Sequence, residues 1–337
     1  MMPINRKKFW MLAAMITLFG AGIFVGYIGA PARDLDAATF FSRISPLRSA
    51  STEFKFIDPL IAYETPEATP LEEYASLKQK LRDIIDTAKR ANDATDVSLY
   101  YRDFNTGRWI AINRNVMYYP ASLLKVPVLI AYFRKAESDS TLFEERVVYR
   151  PLISGNAFET ASTLVAGRSY TMRDLLERMI VQSDNGATYT LISKIDPGLL
   201  SEVYTDLGIK DPGDDSSQYE ISAKTYALFF RVLYNATYLT PAASEAAIEL
   251  LSRTSYDDGL VSGVPAGIQV AHKYGEHVVS DGSTITGVEL HDCGIVYRPE
   301  RPYFLCVMTS AKDLSKAAAL ISSISNVVYH APESAKE

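Results

Sequence analysis

The sequence predicts an α/β (α+β) fold: one five-stranded antiparallel sheet flanked by the terminal helices, plus a mostly helical lobe. Three observations carry this prediction. An amphipathic helix is followed at once by two short strands, a long middle section has helical period, and three strands with a closing helix end the chain. That order brings both terminal helices and all five strands into one layer system and leaves the middle as a separate lobe. A crevice between sheet and lobe is then the natural place for a site.

The first helix opens at TPLEEYASLKQKLRDIIDTAKR, where Thr69, Pro70 and Glu72 form a capping-box start with proline at the first helical position. Leu71, Tyr74, Leu77, Leu81, Ile84 and Ala88 repeat at helical spacing and predict its buried stripe. Val97–Tyr101 and Arg108–Asn113 read as two short strands, joined through Asn105-Thr106-Gly107. The section from Ser122 to Leu251 is mostly helical in pattern. The late strands are IQVAHKYGEH, VELHDCGIVY and YFLCVMTSA, and Leu314–Tyr329 closes the chain as a helix. If RPERP is a hairpin turn centred between Pro299 and Glu300, Cys293 and Cys306 lie opposite each other. The expectation is two small buried side chains side by side, with a disulfide as the alternative.

The chain has 337 residues, 47% of them apolar and 22% charged, with a net charge of -6. This is an ordinary globular balance, and no basic, aromatic-interleaved surface points to nucleic acid. The N-terminus differs. Arg6, Lys7 and Lys8 precede Phe9–Ala30, about 22 uncharged residues, enough for roughly 33 Å of spanning helix. Basic residues on that side keep the N-terminus in the cytoplasm. A cleaved signal peptide ending at Ala30-Pro31-Ala32 competes, although the apolar run exceeds the usual signal core. Residues 1–30 are therefore expected to be a cytoplasmic stub and signal-anchor, placing the rest outside the cytoplasm. Residues 31–68, with four prolines and no sustained period, form a linker, although Phe54–Glu64 is apolar enough to lie along the folded domain. The domain proper runs 69–330, and 331–337 is a tail.

Within the helical section, PASLLKVPVLI places one hydroxyl, Ser122, and one amine, Lys125, three residues apart in an apolar run. Positions i and i+3 share a helix face. A serine needs an adjacent base to become a nucleophile, and a lysine serves if burial lowers its pKa toward neutrality. No other lysine of the chain has a serine three residues before it. Ser183-Asp184-Asn185, between two helical runs, marks a tight corner whose hydroxyl can relay a proton and whose amide can hold a substrate amide. Lys273-Tyr274-Gly275 lies in a strand. Its lysine would attract a carboxylate, and its glycine allows close backbone approach. The four histidines, His272, His277, His291 and His330, lack metal-ligand spacing, and no G-x-S-x-G elbow exists. They are expected to be core or surface residues, with His272 on the strand face opposite Lys273.

Taken in order, these stretches resemble the S-x-x-K, S-D-N, K-T-G set of the β-lactamase / penicillin-binding D,D-peptidase superfamily, nearest to class A. The resemblance covers roughly residues 70–330. It implies that Ser122 forms an acyl-enzyme, that Lys125 takes its proton, and that Ser183 relays a proton to the leaving nitrogen. It further implies that Asn185 contacts the acyl side chain and that Lys273, Tyr274 and Gly275 form the carboxylate corner. The oxyanion hole would be the backbone N–H groups of Ser122 and Glu276. No cofactor or metal is implied. Tyr274 stands where the family has Ser or Thr, and a bulkier phenol leaves the specificity of that corner open.

The loop before Ser222 lacks the family's E-x-x-L-N. Of its carboxylates (Asp214, Asp215, Glu220), Glu220 is the residue to weigh as a deacylation base. The expectation is a monomeric, membrane-anchored, class A β-lactamase-like hydrolase of β-lactams or related amides. The alternatives are a peptidoglycan D,D-peptidase or transpeptidase, and a β-lactam-binding sensor domain that does not turn over.

Overall fold

The computed structural model describes residues 54–59, 74–151, 162–213, 216–281 and 284–331. The predicted membrane segment Phe9–Ala30, most of the linker, and the capping box at Thr69 lie outside these residues. Among the described residues no helix is long and apolar enough to cross a membrane.

The sheet contains β1 (Ala94–Asp103), β2 (Trp109–Ile112), β5 (Val270–Asp281), β6 (Thr284–Val296) and β7 (Tyr303–Ala311). They lie in the order β2-β1-β7-β6-β5, every pairing antiparallel. Helix α1 (Ala75–Arg90) and the closing helix α8 (Leu314–Tyr329) cover one face. Leu81, Val97, Leu305, Ile321 and Ile324 fill the core between them and the sheet. The other face meets a lobe that among the described residues contains the helices α2 (Lys125–Ala136), α3 (Met172–Val181), α4 (Asn185–Ile192), α5 (Pro197–Asp206), α6 (Ala223–Tyr234) and α7 (Pro241–Leu251). Leu123, Phe229, Phe230, Cys293 and Phe304 belong to that second core. With both faces covered, most of β7 and of β1 is buried, which is why their sequences read as apolar runs without alternation.

In α1 the stripe closes on Leu77, Leu81 and Ile85, while Ile84, predicted as a stripe residue, is only partly buried. The sequence reading also missed a small ribbon, β3 (Arg146–Val148) with β4 (Ser169–Thr171). Three-residue strands carry too little period to be seen. Helix starts follow side-chain chemistry. Thr171 and Asp174 make a capping box for α3, and Asp184, Ser222 and Asp313 cap α4, α6 and α8. The stretch before α1 is strapped to the lobe: the N–H groups of Lys55, Phe56 and Ile57 all donate to the Glu245 carboxylate at 2.8–3.1 Å.

The turn after β6 sets Cys293 opposite Cys306, as the RPERP reading requires. The two thiols are joined as a disulfide, with Cα atoms 3.9 Å apart. This corrects the expectation of two unlinked side chains: the register puts them on one face of adjacent strands, within bonding reach.

Candidate active site

Ser122 lies in a 3₁₀ turn, Ala121–Leu124, and Lys125 opens α2 directly behind it. In a 3₁₀ turn, residues i and i+3 eclipse, so the two side chains meet more directly than on a regular helix. Lys125 Nζ is 2.9 Å from Ser122 Oγ. The turn is held from two sides. Tyr226 donates its buried hydroxyl to Leu123 O at 3.0 Å. His291 Nε2 contacts Tyr119 O at 3.0 Å, and the Thr309 N–H donates to His291 Nδ1. Burial lowers the His291 pKa to about 4, so the ring is neutral, with its proton on Nε2 toward Tyr119. Ala121, immediately before the serine, adopts φ +48°, a left-handed conformation that costs a non-glycine residue about 1 kcal/mol or more.

The corner between α3 and α4 delivers the second group. Ser183 has φ +55°, which turns the chain sharply enough to aim both its carbonyl and its hydroxyl at Lys125. Nζ reaches Ser183 O at 2.6 Å, Ser183 Oγ at 2.9 Å and Asn185 Oδ1 at 2.8 Å. Asp184 between them has a structural task. Its buried carboxylate accepts from Ala187 N, from Ser162 Oγ, and from Thr163 through both N–H and hydroxyl.

The third group comes from β5. Lys273 is fully buried and donates to Ser183 Oγ at 3.0 Å and to Tyr274 O at 2.9 Å. Its register partner is Cys293, the disulfide cysteine. A Cβ at Gly275 would stand 2.8 Å from Pro120 O and 3.1 Å from Ser122 N. Only a glycine there lets β5 lie against the serine turn. Tyr274 stacks on Tyr256, ring centroids 4.2 Å apart, and Lys273 Nζ sits 4.1 Å from the Tyr274 ring centre.

The electrostatics suit proton transfer. Burial lowers the Lys125 pKa to about 7, against smaller raising effects of the Asp184 and Glu276 charges. Lys273 is lowered by burial and by the neighbouring Lys125. A neutral amine has two N–H donors and one lone pair. Ser183 O and Asn185 Oδ1 are acceptors that take both donors, leaving the Lys125 lone pair for a hydroxyl proton of Ser122 or Ser183. The arrangement is therefore one continuous relay, Ser122 Oγ to Lys125 Nζ to Ser183 Oγ to Lys273 Nζ.

Not every predicted residue converges. Glu220 is exposed, and its charge raises the pKa of Glu289 on β6. It is not among the charges acting on Lys125, and no hydrogen bond among the described residues ties it to Ser122. Asp214 and Asp215 lie outside the described residues. Sequence reasoning used only the backbone of Glu276, whereas its carboxylate acts on Lys125, Lys273 and Tyr274. Strand alternation from Tyr274 carried that signal. His272, on the face opposite Lys273, bonds Asp292 at 2.7 Å, both side chains buried. Among the described residues no group of three or more His, Cys, Asp or Glu is arranged to hold a metal ion.

A serine in contact with a buried lysine, set between a five-stranded antiparallel sheet and a helical lobe, is the arrangement of a β-lactamase-like serine hydrolase acting on amide bonds. The chain belongs to the beta-lactamase enzyme family, whose sequence model matches residues 76–331. No curated protein sequence matches it. Among solved structures it is similar in fold to PBP-A, at 22% identity and a TM-score of 0.64, covering 79% of this chain and 98% of that one. It is also similar to a class A β-lactamase from Bacteroides cellulosilyticus, at 21% identity and a TM-score of 0.64, covering 76% and 98% of the two chains. A β-lactamase from Sphaerobacter thermophilus matches at 21% identity and a TM-score of 0.63, covering 74% and 95%.

Proposed function

We propose that the chain is a membrane-anchored class A β-lactamase-like hydrolase acting outside the cytoplasm, in which Ser122 is acylated by a β-lactam or related amide. The unbroken contact chain from Ser122 to Lys273 carries this reading. Neutral Lys125 takes the Ser122 proton as Oγ attacks the carbonyl carbon. The oxyanion is received by the N–H groups of Ser122 and Glu276, which Gly275 allows to approach. As the C–N bond breaks, the proton passes from Lys125 through Ser183 to the leaving nitrogen. Asn185 holds the acyl amide, and Lys273 with Tyr274 receives the group on the leaving side. Water then hydrolyses the ester. The extracytoplasmic location rests on the basic-then-apolar N-terminus and is supported by the Cys293–Cys306 disulfide, a bond that persists in oxidising compartments.

A second reading, a peptidoglycan D,D-peptidase or transpeptidase, is favoured by one observation: Glu220 is exposed and has no hydrogen bond to Ser122, so among the described residues the loop before Ser222 holds no carboxylate against the serine to activate the deacylating water. PBP-A, one of the similar folds, has a variant solved as an acyl-enzyme complex with penicillin G. One experiment separates the two. The full chain is incubated with fluorescent penicillin and a chromogenic cephalosporin, following retained label and hydrolysis. Rapid hydrolysis supports the first reading. Durable labelling with release of D-alanine from a pentapeptide supports the second. Absence of labelling, or labelling that survives Ser122→Ala, sinks both.

A further inference from the structure

Tyr274 follows Lys273 on β5, and two neighbours hold its ring. Tyr256 stacks on it, centroids 4.2 Å apart and planes inclined by 19°, and Lys273 Nζ lies 4.1 Å from its centre. The phenol also joins the catalytic contacts. Burial raises the Tyr274 pKa, the Glu276 charge adds to it, and a hydrogen bond with the Ser183 side chain works against both. Ser183 Oγ is the same hydroxyl that Lys125 and Lys273 reach.

This packing uses up the amine. An ammonium has three N–H donors and a neutral amine two. Around Lys273 Nζ stand Ser183 Oγ at 3.0 Å, Tyr274 O at 2.9 Å and the Tyr274 ring. In either protonation state every donor has a partner within the protein, and the side chain is fully buried. Tyr274 and Tyr256 are both partly exposed, so the aromatic pair, and not the amine, forms the surface of this corner. The surrounding charges are those of carboxylates. Glu276 and Asp292 act on Tyr274, and Asp258 joins them at Tyr256. Glu276 is exposed, so an incoming anion meets like charge beside the ring.

We propose that the Tyr274–Tyr256 pair determines specificity on the leaving-group side: it seals Lys273 from solvent, so Ser122 accepts amides and lactams whose leaving half carries no carboxylate as readily as those that carry one. The inference rests on the Ser122 acyl-enzyme reading and adds the class of leaving group, an uncharged one packed against an aromatic wall. Lys273 serves from behind the ring, as the far end of the relay through Ser183.

The test uses the full chain and two dye-labelled penicillins, one with its carboxylate free and one with that carboxylate as a methyl ester. Acylation rate constants, read from retained fluorescence, are expected to favour the acid by no more than about threefold, well under the roughly tenfold that one charge-assisted hydrogen bond supplies. Tyr274→Thr opens the amine, and the acid-to-ester ratio should rise by about tenfold or more. Tyr256→Leu loosens the ring and should move the ratio the same way, by a smaller factor. A stronger acid preference in the unaltered protein overturns the inference. So does a ratio that Tyr274→Thr leaves unmoved, because the ring is then no barrier. If circular dichroism shows that Tyr274→Thr does not fold, the ratios of the unaltered chain and of Tyr256→Leu decide by the same criteria. Anisotropy of both probes on Ser122→Ala, which cannot be acylated, separates the two levels. Labelling with a strong acid preference overturns the seal alone. Equal binding of the probes, with no labelling of the unaltered chain, overturns the acyl-enzyme reading alone, and neither labelling nor binding sinks both.

Discussion

At the residue scale, one amine decides the chemistry. In the proposed acylation Lys125 must be neutral to receive the Ser122 proton, and its pKa is lowered to about 7 because burial outweighs the Asp184 and Glu276 charges. The acylation rate should therefore rise with pH and reach half its plateau near pH 7, measured as the rate constant for penicillin labelling. Glu276→Gln removes a charge that raises this pKa, so the acid limb should move to lower pH. A limb that stays put or moves up contradicts the placement of that carboxylate.

The same burial has a stability consequence. The folded pKa of about 7 lies below the 10.5 of an ordinary lysine, so between those values the unfolded chain holds more protons and stability rises with pH. At and below pH 7 the burial cost is fully felt. Lys125→Met should remove it and stabilise the protein at pH 7 by about 0.5–2 kcal/mol while abolishing labelling, as read from urea unfolding midpoints.

At the scale of elements, the site is assembled by three local devices: the 3₁₀ turn at Ala121–Leu124, the capped corner at Asp184, and the glycine of β5. Each is sensitive to one change. Gly275→Ala drives a methyl group into Pro120 O and toward Ser122 N. It should slow labelling by about 10²–10³, the usual effect of losing an oxyanion donor, with little change in helix content by circular dichroism. Asp184→Ala removes the α4 cap and strands the groups at Ser162 and Thr163. A loss of about 1–3 kcal/mol in denaturant unfolding is expected. The corner and the lysine strand were legible in the sequence because both depend on local signals, a polar break between helical runs and a strand-length apolar stretch. The β3–β4 ribbon was not legible, because three residues hold no period. The 3₁₀ form of the serine turn was not legible either, because its tightness comes from Tyr226, His291 and β5 packed against it.

At the scale of the whole molecule, the sheet acts as a frame between two cores, with the disulfide near its centre. Cys293 pairs with Lys273 on one side and Cys306 on the other, so the bridge backs the strand that carries the second lysine. Cys306→Ser should cost about 2–3 kcal/mol, the scale for a short closed loop, measured by denaturant unfolding with and without reductant. The reductant should leave the variant unchanged.

The sequence by itself determined the order of elements, the sheet-plus-lobe division, the three motifs and the serine–lysine pairing. Those features depend on periodicity and on spacing within single segments. Only the tertiary structure decided that the lysines of residues 125 and 273 flank one hydroxyl, at Ser183, that Glu276 acts on both while Glu220 does not act on Lys125, and that the thiols are joined. Those are distances between segments far apart in the chain, and burial, register and the pKa of an amine arise only when such segments pack together.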